Sequence, residues 1–357
     1  MTDTILTRDN NYRIRTLQGA RFLFVFMIYL SHCITPSTTT PFDFGGESGV
    51  AFFFMLSGFV LSWGYGPRVS RGEFSERKFF WRHFWRLYPL HVLMLVMFLA
   101  LDWHAGIRYD ALQLLSNLLV FQAWIPSNHT LYTLNGVAWF LCDTLFFYAL
   151  FGWLYRRLVR MEGWRFGITI AEIAIGYGFS VACIPDDMVN CTLYVNPLLR
   201  TVDFAIGIMT YRAVKTMRPD TLPNIARYGA CVAAALVAAT YVLYQYLPCG
   251  MRCAMLFWLT MPMVVAGLAV SSTENDPVAR ILASRPVVWL GGISFEMFMS
   301  HLLVMRIVQH VVGLDGTAER DMAYFAVSFA ATVVVAWGLH RLVVKPAGEA
   351  INRRFLR

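Results

Sequence analysis

Residues 49–65 read Gly49-Val50-Ala51-Phe52-Phe53-Phe54-Met55-Leu56-Ser57-Gly58-Phe59-Val60-Leu61-Ser62-Trp63-Gly64-Tyr65, without one charged side chain. At ~1.5 Å per residue such a helix nearly crosses the ~30 Å hydrocarbon core of a bilayer. Working outward, stretches of the same character occupy 17–35, 87–103, 136–155, 167–184, 198–213, 228–247, 254–270, 287–312 and 322–344. The sequence therefore predicts an all-α, polytopic membrane bundle of about ten transmembrane helices. Residues 1–16 are expected as a cytoplasmic N-terminal segment, 17–344 as the membrane domain and 345–357 as a cytoplasmic tail. The apolar stretch 111–124 is too short to span and is expected to be interfacial or re-entrant.

Composition agrees. Hydrophobic residues make up 57% of the 357 and charged residues 15%, against about a quarter charged in soluble domains. The net charge of +8 raises the question of nucleic acid, but the basic residues cluster between apolar runs, where membrane topology explains them. With the N-terminus inside, the inner segments hold Arg8, Arg13 and Arg15; Arg68 to Arg86; Arg156 to Arg165; Arg212 to Arg227; Arg280 and Arg285; and Arg341 to Arg357. The outer segments hold Arg108, Arg252, Arg320 and, at a helix edge, Arg200. This alternation predicts both termini in the cytoplasm. The polar start, 1–12, followed by a long apolar run, reads as a retained first span rather than a cleaved signal. The cysteines include no CxxC pair and no Cys/His cluster at zinc spacing, so no metal is expected. Cys183, Cys191, Cys249 and Cys253 gather near the outer side, where one disulfide could form.

Ionisable residues inside a span cost a few kcal/mol each on insertion scales, about 3 for Arg or Asp, and so mark candidate sites. The chain offers Arg21, His32, Asp143, Asp203, Glu296 and His301. Arg21 and His32 are eleven residues apart, which places them on one helix face and roughly 16 Å apart in height. Counting along the spans puts His32, Asp143 and His301 in one outer layer, and Arg21 with Arg82 and Arg86 in a lower one. Guanidinium groups suit phosphate or carboxylate recognition. A buried histidine near a carboxylate suits general-base work. A long anionic carrier with a reactive far end, such as coenzyme A, would connect the layers. The plainer readings are a histidine that only packs, an Arg21 that snorkels, and Arg82 and Arg86 as topology signals. Asp203 can pair with Arg200 one turn away, and Glu296 with an arginine. His83, His91, His129, His310 and His340 lie near helix ends or loops and receive no role. Ser57 is outside any GxSxG elbow and reads as a small-residue packing contact.

At these residues the chain resembles the acyltransferase-3 family of membrane acyltransferases. Leu17-Gln18-Gly19-Ala20-Arg21, followed by His32, is similar to that family's Arg-x10-His first helix. Residues 49–59 resemble its second-helix signature, and Arg82-His83-Phe84-Trp85-Arg86-Leu87-Tyr88-Pro89 its Arg-x3-Arg-x-x-Pro entry to the third. Trp139 to Asp143 with Phe146-Phe147-Tyr148, and Leu290-Gly291-Gly292-Ile293-Ser294-Phe295 running to His301, resemble its later segments. Gln18 stands where an acid is common, Ala51 where Asp is, Asp143 where Glu is usual, and Phe295 and Phe298 where Tyr is usual.

The resemblance implies about ten helices and an acyl-CoA donor on the cytoplasmic side. It implies acylation, most simply O-acetylation from acetyl-CoA, of a hydroxyl on a surface polysaccharide (exopolysaccharide or O-antigen) or its lipid-linked glycan precursor. His32, Asp143 and His301 are then the catalytic candidates, and Arg21, Arg82 and Arg86 the donor-binding ones. His32 could deprotonate the acceptor or carry the acyl group itself. The expected location is a bacterial inner membrane, with membrane lipid around the bundle and no nucleic-acid partner. Two alternatives are a transporter or flippase for an anionic glycan or acyl carrier, and an acyltransferase acting on a small-molecule natural product.

Overall fold

The computed structural model describes residues 10–33, 45–217, 222–247, 249–312 and 318–355, and the regular structure among them is helical. The main helices are α1 Asn10–His32, α2 Gly46–Ser70, α3 Glu76–His104, the short α4 Ala111–Leu118, α5 Trp139–Leu158 and α6 Gly163–Cys183. They continue with α7 Pro197–Lys215, α8 Leu222–Tyr244, α9 Met255–Val270, α10 Arg285–Gly292, α11 Ser294–Val312, α12 Ala318–Leu339 and α13 Lys345–Phe355. Local sequence explains the starts. Ser75 caps α3 by accepting from the Lys78 amide, Asp110 and Gln113 form a reciprocal capping box on α4, and Asn196 followed by Pro197 opens α7.

Among the described residues, each expected span is largely helical. Among the described residues six helices are long and apolar enough to cross a membrane, or seven if α10 and α11 count as one bent span. Outside that set lie α1, α5 and α7, whose sequences carry Arg21, Asp143 and the Arg200/Asp203 pair respectively. The expected continuous span 287–312 is instead broken, with a 67° bend between Arg285–Gly292 and the helix that follows. Just before the break, α10 closes tightly on α1: a Cβ on Gly291 would collide with the Gln18 carbonyl.

Burial sorts the helices into centre and rim. In α2, 67% of the apolar window is buried, against 6% in α6, which faces outward along its length. Lipid tails are as apolar as leucine, so helices associate in a membrane through close backbone approach rather than hydrophobic burial. The α2–α7 contact is built this way. A Cβ on Gly58 would run into the Phe204 carbonyl, and one on Gly207 into the Met55 carbonyl. Ser57, beside that contact, hydrogen-bonds its own helix at Phe53.

The basic segments meet at one end of the bundle. Arg156 pairs with Glu76 at 2.5 Å, Arg212 donates to the Leu158 and Met161 carbonyls, the Ser272 amide donates to Ala226, and Arg82 donates to Asn352 at 2.9 Å. We call this the basic end and the other the distal end. Residues from 345 on, expected as a tail, form α13, which continues the last apolar helix as far as Arg353 and lies against α3 through that Arg82–Asn352 bond. At the distal side Cys183 and Cys191 carry free thiols; the expected disulfide otherwise falls on Cys249, whose side chain lies outside the described residues.

Candidate active site

The bundle holds two polar centres. The first forms where the distal end of α1 meets α11. There His301 Nε2 lies 3.2 Å from His32 Nδ1. His301 Nδ1 is 2.7 Å from the Phe298 carbonyl, and His32 Nδ1 is 2.8 Å from that of Ile28. A carbonyl only accepts, so these bonds assign the tautomers: His301 carries its proton on Nδ1 and offers Nε2 as an acceptor. His32 then shares its Nδ1 proton between Ile28 and His301. That leaves His32 Nε2 with an unprotonated lone pair, on a side chain that is exposed while His301 is buried. Tyr29, fixed to Ser328 of α12 by a 2.6 Å hydroxyl contact, stands beside the His301 ring.

The second centre is at the basic end. A cavity of about 290 Å³ is lined by Tyr65, Arg82, His83, Arg86, His340 and Lys345, with Glu349 and Asn352 of α13 on its wall. Behind it, Glu296 of α11 is buried and bonds His340 at 2.7 Å. Arg21 does not line the cavity. It lies within electrostatic reach of Arg86, Glu296 and Tyr148, reaches Gln18 Oε1 at 3.4 Å, and buries its Nε without a hydrogen-bond partner. Glu296, expected to pair with an arginine, thus takes His340 as its hydrogen-bonded partner while Arg21 feels its charge.

The structure joins His32 to His301, but not Asp143 to either. Asp143 is fully buried, and neither carboxylate oxygen has a hydrogen-bond partner. Its charged neighbours are Arg200 and Asp203, which form an enclosed ion pair at 2.7 Å. Arg200 also donates to the Tyr194 and Cys253 carbonyls, and Trp258 donates to Asp203. Height along a helix can be counted from sequence; azimuth cannot, and azimuth turns Asp143 toward α7 rather than α1. Sequence reasoning also misses His340, Lys345 and Asn352. The signal present is a histidine and a lysine at the inner end of the last apolar run, a pattern that topology alone would explain.

A bundle of apolar helices enclosing two polar centres belongs to the class of integral membrane proteins. The family model for an acyltransferase domain, that of the acyltransferase-3 family, matches residues 14–341, and the chain belongs to that family. It is similar to Acyltransferase MdmB of Streptomyces mycarofaciens, 26% identical over 383 aligned residues that cover 96% of this chain and 93% of that protein. No solved structure matches the chain. The protein is a membrane acyltransferase.

Proposed function

We propose that this enzyme moves an acyl group, acetyl in the simplest case, from cytoplasmic acyl-CoA to a hydroxyl of a surface polysaccharide or lipid-linked glycan. The observation that carries this reading is the pairing of His32 with His301, on the same helix face as Arg21 and roughly 16 Å above it. The basic end faces the cytoplasm, both termini lie there, and the ten apolar stretches cross an inner membrane.

Arg82, Arg86 and Lys345 suit the phosphates of the donor's nucleotide end. The distance from the Arg21 level to His32 suits the long arm that ends in the thioester. At that end His32 Nε2 takes the proton of the acceptor hydroxyl. The oxygen attacks the thioester carbonyl carbon, the C–S bond breaks, and the thiolate leaves with the proton returned from the imidazolium as free coenzyme A. His301 Nε2 accepts from His32 Nδ1 throughout and stabilises the charged ring.

The test is purified protein in lipid nanodiscs with ¹⁴C-acetyl-CoA and glycan fractions from a strain lacking the gene. Alkali-labile label on a glycan is the expected result. Movement of the glycan across a bilayer without acylation would replace this reading with transport.

A further inference from the structure

We propose that residues 111–136, between α3 and α5, form the acceptor site, and that Asn117, Gln122 and Asn135 bind the hydroxyls of a neutral sugar. This rests on the acyltransferase reading above. The segment dips into the bundle from the distal end. The Tyr88 hydroxyl donates to the Leu118 carbonyl at 3.0 Å, and His91 Nε2 lies 2.9 Å from the Asn117 carbonyl. His91 is thirteen residues from the distal terminus of α3 at His104, so the tip reaches ~20 Å inward. On the return, Asn135 Nδ2 donates at 3.0 Å to the Met299 carbonyl, two residues before His301. The segment therefore lies between α3 and the turn of α11 that carries His301.

Several of its buried polar atoms are unsatisfied, although Asn117 Nδ2 donates to the Gln113 carbonyl and Asn135 Nδ2 to that of Met299. Both amide atoms of Gln122, Oδ1 of Asn117 and Oδ1 of Asn135 are buried without a hydrogen-bond partner, and Gln122 and Asn117 are fully enclosed at 0% exposure. At Gln122, which makes no side-chain hydrogen bond, an apolar residue would be less costly, above all inside a membrane. Strain sits beside them. Val120 (φ 55) and Leu134 (φ 58) hold left-handed backbone that non-glycine residues resist, a β-branched valine most of all. Unsatisfied groups and strain kept together indicate a site shaped for something else to complete.

The chemistry of that ligand follows from the residues. From 111 to 138 the sequence holds no Asp, Glu, Lys or Arg. A carboxamide both donates and accepts, which matches a hydroxyl and gives no preference to an ionised group. The inner cavity, with Arg82, Arg86 and Lys345, is its opposite.

The test uses the full chain in nanodiscs, wild type beside Gln122→Leu and Asn135→Leu. ¹⁴C-acetyl-CoA is the donor; methyl glycosides of neutral hexoses, the matching uronic acids and a linear alkanol are acceptors. Wild type should prefer neutral glycosides. Each variant should lose about tenfold or more in kcat/KM for them and keep acetyl-CoA binding, and Gln122→Leu should unfold at the same or a higher temperature. Gln122→Glu, of the same size, replaces Gln122→Leu if that variant fails to insert. Variants that transfer to neutral glycosides within about twofold of wild type, or a wild type preferring uronic acids or the alkanol, overturn the acceptor assignment alone. A wild type that neither binds acetyl-CoA nor transfers label to any acceptor overturns the acyltransferase mechanism and this inference with it.

Discussion

The basic-end cavity and the distal dip differ in how they treat unpaired polar groups. Among the described residues, Arg82, Arg86 and Lys345 line the cavity with Glu349 as the one acidic residue, while Glu296 behind it is engaged by His340. Like charges held together repel, and an anion relieves them, so this region is matched to a charged ligand and is sensitive to salt. In the dip no charge is present, and carboxamides lie buried with bonds unmade. That cost is relieved by neutral hydrogen-bonding groups and is indifferent to ionic strength. One chain thus presents two chemistries, as a transferase joining an anionic donor to a hydroxylic acceptor requires. Through Asn135 the dip meets α11 two residues before His301.

The comparison can be broken at several points. The largest effect is expected at the histidine pair: His32→Ala should lower acyl transfer by ~10³-fold, within the usual range for a general base, while acyl-CoA binding stays near wild type in filter assays. Near-normal transfer would remove His32 from the chemistry. Next, Arg86→Ala removes a charge-assisted contact worth about 1.5–3 kcal/mol, so KM for acetyl-CoA should rise roughly 10- to 150-fold with kcat little changed. Raising salt should weaken wild-type donor binding more than that of the variant; equal salt dependence would argue against a phosphate contact. His301→Phe keeps the ring volume but deletes the acceptor for His32 Nδ1, and should lower kcat by about tenfold with KM unchanged. A change in KM alone would make His301 a packing residue. The smallest effect is at α13: Lys345→Ala should raise KM for acetyl-CoA by about three- to tenfold, as expected for one exposed charge. It should leave acetyl-pantetheine, which lacks the nucleotide, untouched.

Much of this architecture is legible in the amino-acid sequence. The apolar run at 49–65 and its counterparts dictate an all-helical bundle, because only a segment that satisfies its own backbone hydrogen bonds can sit in lipid. The alternation of basic segments anticipates their assembly at one end. Arg21, His32, Glu296 and His301 stand out because charge in a span is costly, and 111–124 is visibly too short to cross. Other features are hidden by the same physics. Height alone groups Asp143 with the histidines, yet its rotation about α5 sends it to Arg200 and Asp203. The need for glycine at 291 is unreadable from the chain because it depends on how closely α1 approaches.

The sequence by itself determined which residues are costly and how deep along its helix each one sits, since rise per residue and the penalty for burying charge are local properties. Only the tertiary structure decided which of them meet. Helix azimuth, the close backbone approaches at Gly58 and Gly207, and the docking of α13 on α3 depend on neighbours far away in the chain. Those contacts brought His301 within 3.2 Å of His32 and set Asn135 beside the turn that holds it.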